Sequence, residues 1–474
     1  MTSFDPFASV IELGQQLRSG QLTSESLTQA YLNRIKRYDN KFNAFVEVLE
    51  TRALEQAKFA DAELGAGFDR GPLHGIPYAV KDLYDVAGVP TRAGTELLSD
   101  NVPNENAFIV SHLEKLGAIL VGKTHTVQFA YGGVGINNKL GTPVNPWARE
   151  HYIPGGSSSG SGVAVGAGLV PMALGSDTGG SVRIPASFNN VTGLKTTVGQ
   201  ISRRGVFPLS WTLDSVGPLT RDARDAEVVY RLMAKQDLDD SSMQDFQPLR
   251  SISKTLSQES LAGRRLVYAK NVFFDDCDPE VEQSVLGAAS VFEELGASVE
   301  YRPFEVANAA LRLNPKGLVI AAEAYYLNRL LVDEYFDQLD PIVSHRLIKG
   351  KDVTAVDYLD IQNGLKSIRH QAIDFFDTAD ALLVPTVMIP PCSVAACQDN
   401  IETYSKINVS CLRNTAIGNM LNLSAVTVPC GFNALGLPIG LMIYGRPFDE
   451  IKILKIARAF QSQTQWHSQR PYID

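Results

Sequence analysis

Three short segments of this 474-residue chain carry residue types suited to nucleophilic chemistry: Pro77 to Asp82 (PYAVKD), Pro154 to Gly162 (PGGSSSGSG) and Gly175 to Ala186 (GSDTGGSVRIPA). In the last of these, Asp177-Thr178-Gly179-Gly180 runs directly into Ser181. Glycines allow the backbone to turn tightly and present several N–H groups together. Such a cluster is what an oxyanion needs in a tetrahedral transition state. A serine hydroxyl needs a base to become a nucleophile, and no histidine stands near these segments in a Ser-His-Asp or G-x-S-x-G pattern. Lys81, which ends an apolar run, is the candidate base, because desolvation disfavours the ammonium form and lowers its pKa. Taken singly, Ser181 reads equally well as a structural turn and Lys81 as a surface lysine. The middle segment offers a hydroxyl to bridge the two.

The surrounding pattern places the first and last of these segments at the ends of strands. Short apolar runs at 76–80, 118–122, 169–175, 265–268, 297–301, 381–385, 425–428 and 438–443 read as strands. Between several of them lie amphipathic stretches, such as 107–117 and the Val281, Val285, Ala288, Phe292 series, that read as helices. The alternation predicts an α/β fold: one large mixed sheet covered by helices on both faces. The whole chain, 1–474, is expected to form one domain. Its N-terminal part, about 6–60, reads as helical, with Thr23 a helix start, and about 305–375 reads as a charged, mainly helical region. The Gly/Ser-rich stretch 155–168 could be a linker, but Val163 and Val165 continue an apolar pattern through it.

Bulk composition narrows the function classes. Hydrophobic residues make up 45% and charged residues 20%, as in soluble globular proteins. The formal net charge of −9, with no basic run, argues against a nucleic-acid binder. Five cysteines without a C-x-x-C pair and seven scattered histidines argue against a disulfide framework and a zinc site. Gly160-Ser161-Gly162 lacks the spacing of a dinucleotide loop. No signal peptide and no apolar run long enough to span a bilayer is evident, so the expected compartment is the cytoplasm.

Taken together, the three segments resemble the amidase signature family. The family is marked by G-G-S-S-[GS]-G, here Gly155 to Gly160, and by G-[ST]-D-x-G-G-S-[IV]-R-x-P, here Gly175 to Pro185. Its lysine lies in P-[FY]-x-[VI]-K-D, here Pro77 to Asp82, and the 24 positions from Ser157 to Ser181 equal the family spacing. Further segments, among them Gly193-Leu194-Lys195, Leu213 to Pro218 and Gly436 to Gly440, look like family segments too.

The resemblance implies a serine–cis-serine–lysine triad. Ser181 would attack the carbonyl carbon, Ser157 would relay the proton through a residue joined to Gly156 by a cis peptide bond, and neutral Lys81 would receive it. Backbone N–H groups of Thr178, Gly179, Gly180 and Ser181 would form the oxyanion hole, and water would hydrolyse the acyl-enzyme. Asp177 and Arg183 are expected to pair and hold the loop. The pocket is expected to draw on Thr126, Tyr131, Gly132 and Gly133 and on the stretch 414–422, with Phe129, Tyr131 and Trp211 as apolar surface for an aromatic or apolar acyl part of the substrate. Arg346 and Arg413 are candidates for a carboxylate, although structural roles fit them as well. Gln128 stands where many relatives carry Glu.

The expected substrate is a small linear carboxamide, anilide, carbamate or acylurea, with no cofactor, metal, nucleic acid or membrane involved and a homodimer left open. The alternative is the glutaminase component of a tRNA-dependent amidotransferase. Against it, Ile184 stands where those proteins usually carry Gln, Asn189 where they often carry Cys, and Lys195-Thr196-Thr197 where they usually read Lys-Pro-Thr. A non-catalytic interaction protein is disfavoured because all three triad residues are present.

Overall fold

The computed structural model describes residues 4–249 and 260–473. Eleven strands form one sheet: β1 Phe45–Val48, β2 Pro77–Lys81, β3 Ile119–Thr124, β4 Met172–Asp177, β5 Thr192–Lys195, β6 Ser215–Thr220, β7 Arg265–Tyr268, β8 Ser298–Tyr301, β9 Ala381–Pro385, β10 Ser424–Phe432 and β11 Pro438–Gly445. Their order is β1-β3-β2-β4-β6-β5-β10-β11-β9-β7-β8. β2 runs parallel to both β3 and β4, and β7 runs parallel to β8 and β9, whereas the remaining neighbours are antiparallel. The sheet is therefore mixed.

Period-two alternation explains why both faces are covered. Tyr78 and Val80 enter one apolar cluster while Ala79 enters another on the opposite face. Leu441 and Ile443 likewise part from Met442 and Tyr444. One face carries the helices Val10–Arg18, Ala223–Met233, Pro279–Glu294 and Glu450–Gln463, through residues such as Leu13, Val229, Phe292 and Phe460. The other face is covered by residues including Val163 and Val165 of helix Ser159–Gly166, and farther along by Leu365 and Ile368 of helix Ala355–Phe375.

The N-terminal region is helical over Val10–Arg18, Ser24–Phe42 and Glu50–Gly65, with Thr23 capping the second helix. It also contains β1, a four-residue edge strand paired antiparallel with β3. The stretch 305–375 is mainly helical. Among the described residues, no helix is long and apolar enough to cross a membrane. All five cysteines are free thiols.

The parallel pairing of β2 with β4 positions the site. Val80 lies opposite Leu174, so both strands end at the same edge of the sheet. Lys81 closes β2 there, and Ser176 and Asp177 close β4. Sites in α/β sheets commonly form beyond such carboxyl ends.

Candidate active site

Lys81 is fully buried. Its Nζ donates to Ser157 Oγ at 2.8 Å and to Ser176 Oγ at 2.9 Å. Burial draws its pKa down to about 7, against the opposing pull of the Asp214 and Asp177 carboxylates. A lysine so placed exchanges a proton near neutral pH. Ser176 stands in the motif just before Asp177, and sequence reasoning gave it no role.

Ser157 reaches the lysine through a tightly folded loop. The Gly156–Ser157 peptide bond is cis. Gly156 donates its N–H to the Gly133 carbonyl at 2.8 Å, and the Val127 N–H donates to the Ser157 carbonyl at 3.2 Å. A Cβ on Gly156 would lie 2.7 Å from Gly135 Cα, so no larger residue fits there without a shift. The stretch 127–133 is thereby laid against the serine loop. Ser158 is directed elsewhere: its hydroxyl donates to the Ser176 carbonyl at 3.3 Å, and its N–H donates to the Ser181 carbonyl at 3.2 Å. That last bond joins the Ser157 loop to the Ser181 loop.

The Ser181 loop is wound around a buried carboxylate. Asp177 Oδ1 accepts the Gly180 N–H at 2.9 Å, and Oδ2 accepts the Val182 N–H at 3.1 Å. Arg183 closes the pair at 2.9 Å and also donates to Asn419 Oδ1 at 2.7 Å and the Tyr444 hydroxyl at 3.1 Å. Burial works against the Asp177 charge, yet the Arg183 guanidinium and its hydrogen bonds hold this carboxyl well below the usual carboxylate range. Helix Ile401–Met420 supports the loop from outside: Asn419 Nδ2 donates to Asp177 Oδ1 at 2.9 Å and Thr415 Oγ1 to the Gly179 carbonyl at 2.6 Å.

Of the four amides expected in an oxyanion hole, that of Gly180 is thus engaged by Asp177. Among the described residues, the N–H groups of Thr178, Gly179 and Ser181 carry no backbone hydrogen bond. The Thr178 hydroxyl donates to Asp214 Oδ1 at 2.5 Å.

The candidate pocket residues divide. Tyr131, Gly132 and Gly133 lie beside the serine loop, with the Gly133 N–H donating to Asn408 Oδ1 at 2.8 Å. Thr126 is buried and its hydroxyl donates to the Val127 carbonyl. Phe129 is a core residue stacked on Phe207. Arg346 donates to the Tyr131 carbonyl at 2.6 Å and lies 3.9 Å from the centre of its ring, while Arg413 donates to the Asp275 carbonyl; both are held by protein groups. Gln128 Oε1 accepts the Asp340 N–H at 2.8 Å, at the start of helix Pro341–Leu347, while its Nε2 is buried without a partner. Among the described residues, no group of three or more His, Cys, Asp or Glu is placed to hold a metal ion.

The chain that builds this arrangement, a buried lysine bonded to a serine beside a glycine-wound second serine, has known relatives. The Amidase family model matches residues 26–454. The chain is 36% identical over 460 residues to 2-amino-5-chloromuconic acid deaminase of Comamonas testosteroni, covering 96% of each protein. It is 33% identical over 490 residues to the A-type subunit of the glutamyl-tRNA(Gln) amidotransferase of Marinobacter nauticus, covering 98% of this chain and 99% of the relative. In structure it is similar to peptide amidase PAM bound to the competitive inhibitor chymostatin, with a TM-score of 0.85, 27% identity and coverage of 99% and 100%.

Proposed function

The chain belongs to the amidase signature family and is a hydrolase of C–N bonds in small amides, and we propose that it works as a free-standing enzyme through Ser181, Ser157 and Lys81. Ser181 Oγ attacks the carbonyl carbon and its proton passes to Ser157, whose own proton moves to neutral Lys81 Nζ. The amides of Thr178, Gly179 and Ser181 receive the oxyanion. Collapse of the tetrahedral intermediate breaks the C–N bond, and the proton returns through Ser157 to the departing nitrogen. Water, deprotonated by the same relay, then releases the acid from the Ser181 ester.

One observation carries this reading: Lys81, whose complete burial draws its pKa down, donates to Ser157 at 2.8 Å. Asp177 and Arg183 position the Ser181 loop. Tyr131, Gly132 and Gly133, beside the serine loop, border the substrate. The free thiols suit a reducing cytoplasm, and a homodimer is the assembly we favour from the family resemblance.

The similarity to an amidotransferase component supports a second reading, a glutaminase that needs partner proteins. Ile184 favours the first. A Cβ on Gly180 would meet its Cδ1 at 2.8 Å, which sets an apolar tip beside the Ser181 loop. The deciding experiment gives purified protein, with Ser181→Ala as control, a panel of aliphatic amides, aryl amides, carbamates, acylureas, 2-amino-5-chloromuconic acid and glutamine. Mass spectrometry follows both halves of each product. Serine-dependent cleavage of one class without glutaminase activity supports the free-standing enzyme. Glutamine turnover alone, or activity only with added partner proteins, overturns it.

A further inference from the structure

Residues 207–214 form a loop fastened by two carboxylates. Asp214 accepts the N–H groups of Leu209 at 2.9 Å and Ser210 at 3.0 Å, besides the Thr178 hydroxyl. Glu323, buried on helix Leu318–Tyr335, accepts the Thr212 N–H at 3.2 Å, the Tyr358 hydroxyl at 2.7 Å and the hydroxyls of Ser210 and Thr212. One anchor ties the loop to the candidate oxyanion loop and the other to the outer helical region. Between the anchors, Trp211 is left 43% exposed, in an edge-to-face contact with Tyr326 at a centroid distance of 5.6 Å.

Two cavities meet at Trp211. The inner one, about 310 Å³, is walled by residues including Leu83, Ala130 and Phe207 and reaches Ser176, the second hydroxyl bonded to Lys81. The outer one, about 680 Å³, is lined by Tyr325, Tyr326 and Tyr358. Large tryptophan and tyrosine surfaces in a concave site favour flat apolar ligands. The guanidinium groups along the cleft are already engaged. Arg203 donates to the carbonyls of Trp211 at 3.0 Å and Asp214 at 2.9 Å, Arg204 pairs with Asp237 at 2.8 Å, and Arg329 lies over the Tyr326 ring. With Asp239 and Asp240 also on the inner wall, an uncharged aromatic group matches the inner lining better than an anion.

We propose that the two cavities form one substrate cleft, in which Trp211 holds an aromatic or flat apolar group carried on the nitrogen side of the scissile amide. The side follows from the relay. The departing nitrogen takes its proton from Lys81 through Ser157, and the inner cavity approaches Lys81 at Ser176, the other hydroxyl that its Nζ contacts. The inference therefore rests on the proposed roles of Ser157 and Lys81. It makes secondary amides with an aromatic amine part, rather than primary amides, the preferred substrate class.

The test compares wild type, Trp211→Ala and Trp211→Phe on two amides with the same acyl group, one N-benzyl and one N-methyl. Trp211→Ala is expected to lower the ratio of kcat/KM values, N-benzyl over N-methyl, by about tenfold or more, mainly through KM. Trp211→Phe should recover most of that ratio. An unchanged ratio in both variants, or a change that follows an aryl group on the acyl side instead, overturns the proposal. A second arm measures calorimetric binding of the N-benzyl amide to Ser181→Ala and to Ser181→Ala/Trp211→Ala. Binding that depends on Trp211 supports the cleft even where no amide is turned over, which would overturn the proposed reaction alone. Turnover and binding that ignore Trp211 overturn the cleft and leave the reaction standing.

Discussion

Asp177 binds the Gly180 N–H at 2.9 Å, so the Ser181 loop is organised around a carboxylate before any substrate enters. The same carboxylate takes the Val182 N–H and is neutralised by Arg183, which is itself fully buried. The glycines of Asp177-Thr178-Gly179-Gly180 therefore let the backbone wrap an anion, beside the amides proposed to receive an oxyanion. Fixed donors of this kind need no reorganisation when charge develops.

Replacing Asp177 with Asn should destabilise the protein strongly. The amide preserves the shape but leaves the Arg183 charge without its counter-ion in a site closed to water. Breaking one partner of a buried pair typically costs about 3–5 kcal/mol. Urea unfolding of Asp177→Asn against wild type checks this, and a loss under about 1 kcal/mol would show that Asn419 and Tyr444 suffice for Arg183. Loss of activity should accompany the loss of stability, because the Gly180 and Val182 amides lose their strongest acceptor.

Gly180→Ala tests the loop more locally. Gly180 has φ +135°, which L-residues rarely adopt, and a Cβ there would fall 2.2 Å from Thr415 Oγ1. Thr415 cannot move freely, since its hydroxyl donates to the Gly179 carbonyl. The loop must shift instead, displacing the Ser181 and Gly179 amides together. A fall in kcat of about 10²–10³ is expected, the usual effect of losing an oxyanion donor. A variant that keeps its melting temperature and a kcat within about tenfold of wild type would contradict the placement of the oxyanion at these amides.

Much of this site was legible because its chemistry is carried by three compact motifs whose spacing survives in one chain. Apolar runs located β2, β3, β4, β7 and β9–β11 within a few residues, since strands buried on both faces are written as continuous hydrophobic stretches, whereas the largely exposed β8 was placed by the strand–helix–strand alternation around it. Three strands escaped: β1 and β5 have only four residues each, and Thr, Gly and Pro interrupt β5 and β6. Ser176 escaped for another reason, and Thr415 and Asn419, expected within the pocket stretch 414–422, brace the Ser181 loop instead. Such roles depend on which group each residue meets, and Thr415 and Asn419 meet theirs from more than 200 positions away. Of the three aromatics expected to offer apolar surface, Phe129 went to the core, Tyr131 lies under Arg346, and Trp211 lines open cavities. Sequence marks an aromatic residue but not the loop anchors, Asp214 and Glu323, that decide its exposure.

Activity should follow the titration of Lys81. The relay needs the neutral amine, so kcat/KM is expected to fall about tenfold per pH unit below a midpoint near 7 and to level off above it. Ser176→Ala should move that midpoint to lower pH. The Ser176 hydroxyl accepts a hydrogen bond from Nζ and favours the ammonium form, so its removal makes the proton easier to lose. A merely structural Ser176 would leave the midpoint where it is, and a midpoint displaced upward would contradict the assignment of Lys81 as the titrating base.

Lys81→Ala separates the two jobs assigned to the lysine. As base it helps Ser181 attack, a step common to amides and esters. As the source of the returned proton it helps the leaving group depart, and an amine needs that proton far more than an alkoxide does. An amide and an ester with the same acyl group should therefore suffer unequally. Both rates fall, but the amide should lose about 10²-fold more than the ester, within the range usual for one general acid. Steady-state kcat/KM for the matched pair measures the difference directly. Equal losses would leave Lys81 as base for attack and remove it as the acid that serves the departing nitrogen. That proton would then have to reach the nitrogen by a route other than the 2.8 Å contact between Lys81 and Ser157.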